Sequence, residues 1–174
     1  MVRWLDYEQT SSMSWRLGVK TAPEKPRWII VGIQTNKASQ QDKNAALFDH
    51  INVKNIAVVL NNNKYPLLNA NADFGKYEFT QFYKAAMDFK RNYYGADPLI
   101  TSACISPSAF HDLTPLFVFD LTKQSERLDT GVVDITVDMQ FSANAPAQTN
   151  AYALVISDRK LKLSSDGKKI NVLY

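Results

Sequence analysis

The stretch Val133-Asp134-Ile135-Thr136-Val137-Asp138-Met139-Gln140-Phe141 alternates apolar and polar residues over nine consecutive positions. This period of two is typical of a half-buried β-strand, with the apolar side chains on one face and the polar side chains on the other. Such a strand belongs to an antiparallel sheet with one buried and one solvated face. The stretch therefore predicts an all-β fold built from strands of this kind.

The length and composition of the chain limit its possible classes. A chain of 174 residues is enough for one domain with a sizeable core. Hydrophobic residues make up 45% and charged residues 21%, which are ordinary values for a soluble globular domain. The longest apolar run, residues 28–33, is far shorter than the roughly 20 residues of a membrane-spanning helix. A net charge of +3 predicts no specific nucleic-acid partner.

Short apolar runs separated by proline, asparagine and glycine predict about eight strands. The runs that we interpret as strands are residues 15–21, 28–33, 55–60, 65–68, 115–119, 132–141 and 151–156, with a final hairpin over residues 160–172. Asn61 to Asn63 and the pair Asp166-Gly167 are the predicted hairpin turns.

One segment departs from strand periodicity. Aromatic residues and alanine recur at spacings of three and four between residues 79 and 93, which predicts a helix near residues 76–92 that ends at Gly95. The fold class is therefore predicted to be an all-β, antiparallel jelly-roll sandwich with one inserted α-helix. We expect residues 1–14 to form an N-terminal arm or interface segment and residues 15–174 to form a single jelly-roll domain.

The residues that could carry chemistry favour structural interpretations. His50 and His111 lack the partners at i+3 or i+4 that a metal site on one element would show. Cys104 could act as a nucleophile with His111, but a buried structural thiol is the more common role. The sequence predicts no catalytic residue, no cofactor and no metal site, and we expect the protein not to be an enzyme.

Two polar groups have similar alternatives. Asp134 and Asp138 share one strand face at about 13 Å from each other, which is too far for an acid/base pair and favours a solvated face. A carbohydrate site is the alternative for the asparagines at 61–63 with Tyr65, although a hairpin turn explains them without a ligand.

Three aromatic residues precede the main run of strands. Trp4, Tyr7 and Trp15 are candidate subunit-interface residues, because amphipathic aromatic side chains are enriched at protein contacts. The alternative is that they fold back onto their own domain.

An ordered set of short segments resembles the second barrel of double jelly-roll major capsid proteins of Polinton (Maverick) elements and adintovirus-like sequences. The segments are Trp15-x-x-x-Val19-Lys20-Thr21, residues 24–30, Gln34-Thr35, Phe48-Asp49, Asn55-Ile56, Leu60-Asn61, Tyr65-Pro66, Tyr93-Tyr94-Gly95, residues 115–120 and residues 151–159. The similarity runs from about residue 15 to the C-terminus.

This resemblance implies a structural protein that self-associates into capsomer-like oligomers or particles. In such proteins two jelly rolls lie side by side in one chain, and three chains form a pseudo-hexagonal capsomer. The present chain is long enough for one roll, so its expected partner is either itself, with a trimer favoured, or a missing first jelly roll. We expect no membrane partner, and we expect the protein in a virion or inside a cell, because no secretion signal is recognisable.

A binding module is the alternative from a different functional class. A copy retained by a host genome could bind a ligand or a carbohydrate, since jelly rolls serve both purposes. A cupin-type enzyme is a weaker alternative, because two distant histidines are too few for that metal site.

Overall fold

The computed structural model of the chain describes residues 2–7, 10–18, 25–37, 40–95, 105–123, 133–158, 162–165 and 170–173. For residues 2–7 and for most of the last two segments, the description covers the backbone alone. The elements in chain order are β1 (Val2–Tyr7), β2 (Ser12–Leu17), β3 (Pro26–Thr35), β4 (Val53–Leu60), β5 (Asn63–Tyr65), a 3-10 turn (Phe74–Lys76), α1 (Thr80–Tyr94), α2 (Pro107–Asp112), β6 (Phe117–Asp120), β7 (Ile135–Phe141), β8 (Thr149–Ser157), β9 (Lys162–Ser165) and β10 (Ile170–Leu173).

Eight of these strands form two four-stranded antiparallel sheets, in the orders β1-β8-β3-β6 and β2-β7-β4-β5. The chain crosses between the sheets at almost every connection, and only β4 and β5 follow each other within one sheet. This topology is a jelly roll, and the predicted fold class is confirmed. In the described residues, β9 and β10 form an additional antiparallel hairpin outside the two sheets.

The alternating stretch that predicted the fold forms β7. Its apolar side chains from Ile135 to Phe141 are buried, whereas the side chains between them are half-buried or exposed. The strand lies inside its sheet, between β2 and β4, so its backbone hydrogen bonds are made on both sides. Strong alternation and two pairing partners make β7 a central strand of the sandwich.

The core lies between the two sheets. β3 contributes Ile29, Val31 and Ile33, each at most 1% exposed, and β7 contributes apolar side chains from the opposite sheet. Burial of these side chains is the main favourable term in the folding of such a sandwich. The outer face of β3 is also covered: Gln34 donates hydrogen bonds to the carbonyl oxygens of Ala45 and Leu47 at 2.7 and 3.0 Å.

The inserted helix is confirmed with shifted bounds. α1 begins at Thr80, because Phe74–Lys76 form a separate 3-10 turn and Tyr77 has a left-handed φ of 60°. Gly95 ends the helix with a φ of 65°, a conformation that costs glycine least, and its N–H donates to the carbonyl of Arg91.

The sequence analysis identified no helix or strand between Gly95 and residue 115, where the structure has α2. The side chain of Ser106 accepts a hydrogen bond from the N–H of Ala109, and Pro107 occupies the first turn. Serine at the N-cap followed by proline is a known start signal for a helix. The signal was present in the sequence, but a segment with two prolines suggested only a loop.

The hairpin of β4 and β5 is confirmed in a tighter form than the one expected. Asn61 and Asn62 alone connect the strands, so β5 starts at Asn63. Asn61 has a φ of 52°, which asparagine tolerates well, and its side-chain oxygen accepts from the N–H of Asp134 at 3.0 Å. This turn is therefore attached to the start of β7.

Residues 2–7 and 12–17 are strands of the sandwich. β1 pairs with β8 from Val2 to Tyr7, and β2 pairs with β7 from Ser12 to Leu17. The expected boundary between an arm of residues 1–14 and a domain from residue 15 falls inside β2. The alternation of Met13, Trp15 and Leu17 with polar residues could have revealed this earlier start of the strand.

Gly32 lies on the outer face of β3 beneath the ring of Phe48. A Cβ atom at Gly32 would approach Cε1 of Phe48 to 2.5 Å and Cδ2 of Leu116 to 3.0 Å. We therefore expect Gly32→Ala to lower the free energy of unfolding by about 1–3 kcal/mol, measured by urea unfolding with circular dichroism. In a double-mutant cycle, Phe48→Ala should remove most of this cost. Equal effects of Gly32→Ala with and without Phe48 would contradict the proposed contact.

Trp15 tests the core directly. It is 5% exposed between the sheets, so we expect Trp15→Ala to lower the free energy of unfolding by about 3–5 kcal/mol. Arg16→Ala is the matched control on the same strand, because the exposed ion pair from Arg16 to Asp134 contributes at most about 1 kcal/mol. Equal stability of the two variants would show that Trp15 is not a core residue.

Candidate assembly surface

The two sheets end at two lateral sides of the sandwich, which we call its open sides. Each open side is bordered by one edge strand from each sheet. β1 and β2 border one side, and β5 and β6 border the other. Edge strands expose unpaired backbone groups and can pair with another chain. The two sides therefore form the natural candidates for contacts between copies of the protein.

α1 covers the side bordered by β5 and β6. The ring of Phe82 meets that of Phe117 edge-on at 5.0 Å between centroids, and Phe89 meets Trp28 in the same way at 5.0 Å. Among the described residues, α1 packs along β6, and no helix makes a comparable contact with β1 or β2. The helix protects one open side of the sandwich, and the two sides differ for this reason.

An apolar groove of about 270 Å³ lies between α1, β5 and β6. Its lining residues are Tyr65, Pro66, Gln81, Phe82, Ala85, Phe117, Val118, Phe119 and Asp120. Leu67 and Leu68 follow the groove residue Pro66 in the chain and are 85% and 78% exposed. We call Leu67 and Leu68 the dileucine loop.

The sequence analysis placed the two leucines in a strand and did not recognise them as surface residues. Neighbouring residues point to opposite faces of a strand, so two adjacent leucines could not both have entered the core. That pattern was a usable signal. Single exposed apolar side chains are common on protein surfaces, but two together beside an apolar groove are less so.

Two of the three candidate interface residues, Trp4 and Tyr7, lie in the edge strand on the opposite side. Trp4 and Tyr7 belong to the edge strand β1, where they pair with Tyr152 and Thr149 of β8. Their side chains lie outside the described part of the structure. Trp15 is buried in the core of its own sandwich, as the alternative interpretation of this residue had it. Its side chain is therefore not available for a contact in the folded chain.

Asp138 of β7 and Asp134, which directly precedes β7, have separate hydrogen-bond partners. Asp138 accepts a hydrogen bond from the hydroxyl of Ser14 at 2.7 Å, and Asp134 accepts from Nε of Arg16 at 2.7 Å. Both partners are exposed residues of β2. The carboxylates form cross-strand pairs on a solvated face, in agreement with the interpretation from their spacing.

A polar groove of about 290 Å³ crosses the outer face of β2, β7 and β4. The polar residues that line it are Ser12, Ser14, Asn55, Lys64, Asn69, Asp138 and Gln140. Within it, the amide of Asn55 donates to Gln140 at 3.0 Å, and the ammonium group of Lys64 donates to Asn69 at 2.8 Å. Its side chains are thus held in place by contacts with each other.

The fold brings the two histidines together. The ring centroids of His50 and His111 are 4.7 Å apart, although the residues lie in different connections of the chain. The ring of His50 stacks on Phe74 at 4.4 Å, and that of His111 stacks on the exposed Tyr77 at 4.6 Å. Sequence spacing could not reveal this contact because it joins two separate elements.

The hydrogen bonds of the two rings differ. Nδ1 of His50 accepts from the N–H of Asn52 at 3.0 Å. Nδ1 of His111 lies 2.5 Å from a carboxylate oxygen of Asp112, and Nε2 lies 3.1 Å from the carbonyl oxygen of Phe74. Both bonds of His111 form together only when both nitrogens carry a proton. Burial, and then the neighbouring His111, lower the pKa of His50.

Cys104 lies outside the described residues. Within the described ranges, no group of three or more histidine, cysteine, aspartate or glutamate residues is arranged to hold a metal ion. The described helices include none that is long and apolar enough to cross a membrane.

Comparison with known proteins gives a family match. The model of the double jelly roll-like domain matches residues 3–161, which include all eight strands of the two sheets except the first residue of β1. Comparisons with curated proteins and with solved structures give no significant match. The strand order and the match over most of the sequence lead to one conclusion: the chain belongs to the double jelly roll-like domain family.

Proposed function

We propose that this chain is a capsid-type structural protein that self-associates into capsomer-like oligomers or particles, with a trimer favoured. The observation that carries the proposal is the jelly-roll strand order, which coincides with the span of the family match. The role is one of assembly and includes no catalytic step. Within the family, the ordered segments from residue 15 onward favour the group of Polinton and adintovirus-like capsid proteins.

The edge strand β1 is the first proposed contact surface. Within the described residues its backbone pairs with β8 alone, and the aromatic residues Trp4 and Tyr7 belong to this strand. Aromatic residues contribute much of the binding energy at protein interfaces. The partner at this edge is a second copy of the chain or a first jelly roll from another chain. A virion or the interior of a cell is the proposed location.

The dileucine loop and its apolar groove form the second proposed contact surface. Removing two exposed leucines from water on association is favourable, at about 25 cal/mol per Å² of apolar surface buried. The loop and the groove lie side by side, so one copy can offer both to its neighbours. The two surfaces lie on opposite sides of the sandwich, and each can be tested separately.

The first experiment measures the mass of the purified chain over a concentration series by light scattering after size exclusion. We expect oligomers whose fraction rises with concentration. Trp4→Ser with Tyr7→Ser tests the β1 edge, and Leu67→Ser with Leu68→Ser tests the dileucine loop. Each double variant should raise the concentration needed for assembly at least about tenfold if its surface contributes about 1.4 kcal/mol.

Gln41→Ser is the matched control, because it places serine at an exposed position of the β3–β4 connection. Circular dichroism must show native strand content in every variant. A chain that is monomeric at all concentrations contradicts the proposal. Assembly that neither double variant changes would leave self-association in place but would refute both contact surfaces.

Ligand binding is a second candidate function, favoured by the polar groove on the outer face of β2, β7 and β4. The groove presents hydroxyl, amide, ammonium and carboxylate groups, which suit a ligand with many hydroxyl groups, such as an oligosaccharide. The turn of Asn61 is a poorer site, because its side chain is bonded to the N–H of Asp134.

The second experiment titrates a panel of neutral oligosaccharides against the chain by calorimetry. If the groove binds one of them, Asp138→Asn and Lys64→Gln should each weaken binding about tenfold or more, the loss expected for one charge-assisted hydrogen bond. Arg27→Gln, outside the groove, should leave binding unchanged. Heat of binding that Asp138→Asn and Lys64→Gln do not alter would exclude the groove as the site.

A further inference from the structure

The β3–β4 connection and the long connection between β5 and β6 meet at the histidine pair. His50 lies in the first connection, and His111 and Phe74 lie in the second. A backbone hydrogen bond from Phe48 to the carbonyl of Leu113, 2.9 Å long, joins the same two segments. The imidazole rings therefore lie at a junction of two long connections.

The turn after His50 is strained. Ile51 has a φ of 38° and Asn52 a φ of 53°. A positive φ is rare for a β-branched residue and is kept only where the surroundings enforce it. Here the N–H of Asn52 donates to Nδ1 of His50, and the carbonyl of Asn52 accepts from the N–H of Ser142 in the β7–β8 connection.

From this geometry we propose that His50 and His111 form a pH-sensitive clasp, which holds the β3–β4 connection against the β5–β6 connection and opens when His50 takes up a proton. Protonation at Nδ1 would place a donor in front of the N–H of Asn52. It would also place a positive charge beside the ring of His111, which itself carries a positive charge whenever both of its hydrogen bonds form. Both effects oppose the stacked position of His50 on Phe74.

The charged groups around the clasp do not compensate for a positive charge on His50. Asp49 precedes His50, but its carboxylate accepts from the ammonium group of Lys37 at 3.0 Å and from the N–H of Thr35 at 2.8 Å. Asp112 is bonded to His111. Both carboxylates raise the pKa of His50, but less than burial and His111 lower it.

The 3-10 turn that carries Phe74 adds one ion pair. Lys76 donates to Asp73 with a distance of 3.1 Å, and this hydrogen bond lowers the pKa of Asp73. The pair is internally neutralised. No unpaired carboxylate among the described residues therefore faces His50 from this turn.

The direction of the pH effect follows from the lowered pKa of His50. Below its ordinary value of 6.5, the unfolded chain takes up the proton before the folded chain does. The stability that neutral His50 contributes is therefore present above about pH 6.5 and is lost as the pH falls toward the pKa of the folded state. The clasp acts within one chain and does not rest on self-association.

The test uses nuclear magnetic resonance, because the chain has only two histidines and thus two imidazole signals to assign. We expect the His50 signal to titrate below pH 6.5. In His111→Gln, whose amide can still donate to the carbonyl of Phe74, the His50 signal should titrate at a higher pH. A His50 signal that titrates at or above 6.5 in the unmodified chain would overturn the clasp.

A thermal experiment gives a second readout. His50→Asn keeps an acceptor for the N–H of Asn52 but has no proton to take up. Between pH 7 and pH 5 we expect the unmodified chain to lose about 2–4 °C more in Tm than His50→Asn. Equal losses in the two proteins would contradict the proposal. If His50→Asn does not fold, the titration of the unmodified chain decides alone.

Discussion

The burial of one face of each sheet against the other is the constraint on which the structure depends. Ile29, Val31 and Ile33 of β3 lie in one buried core with the apolar side chains that β7 contributes from the other sheet, and all of them are almost completely inaccessible to solvent. A shift of one residue in the pairing of either strand would turn every buried side chain outward. The register of both sheets, and with it the positions of the loops and helices, follows from this packing.

Local periodicity predicted those parts of the fold that depend on neighbours in sequence. The alternation of β7, the Asn61 turn and the glycine at the end of α1 could all be recognised from short windows. The start of β2 and the short helix α2 carry signals of the same kind, because the alternation of Met13, Trp15 and Leu17 and the pair Ser106-Pro107 are local in sequence. Both elements are therefore predictable from short windows.

The contact between His50 and His111 belongs to a different category. Each ring lies in its own connection, and the arrangement of both sheets brings the two connections together. No spacing rule for one helix or strand applies to such a pair. The same limit explains why Trp15 was difficult to assign: its aromatic ring suits an interface and a core equally well, and only the pairing of β2 with β7 places it inside.

The long connections of a jelly roll create a need for polar contacts at the ends of the sandwich. Backbone groups that leave the sheets must find other partners if they are partly buried. The carbonyl oxygen of Phe74 is hydrogen-bonded to Nε2 of His111, and the N–H of Asn52 donates to Nδ1 of His50. Imidazole can satisfy such groups while it stacks on aromatic rings, which an amide side chain does less well. Imidazole also takes up a proton near neutral pH. The pH sensitivity that we propose for the clasp therefore follows from the same contacts that satisfy these backbone groups.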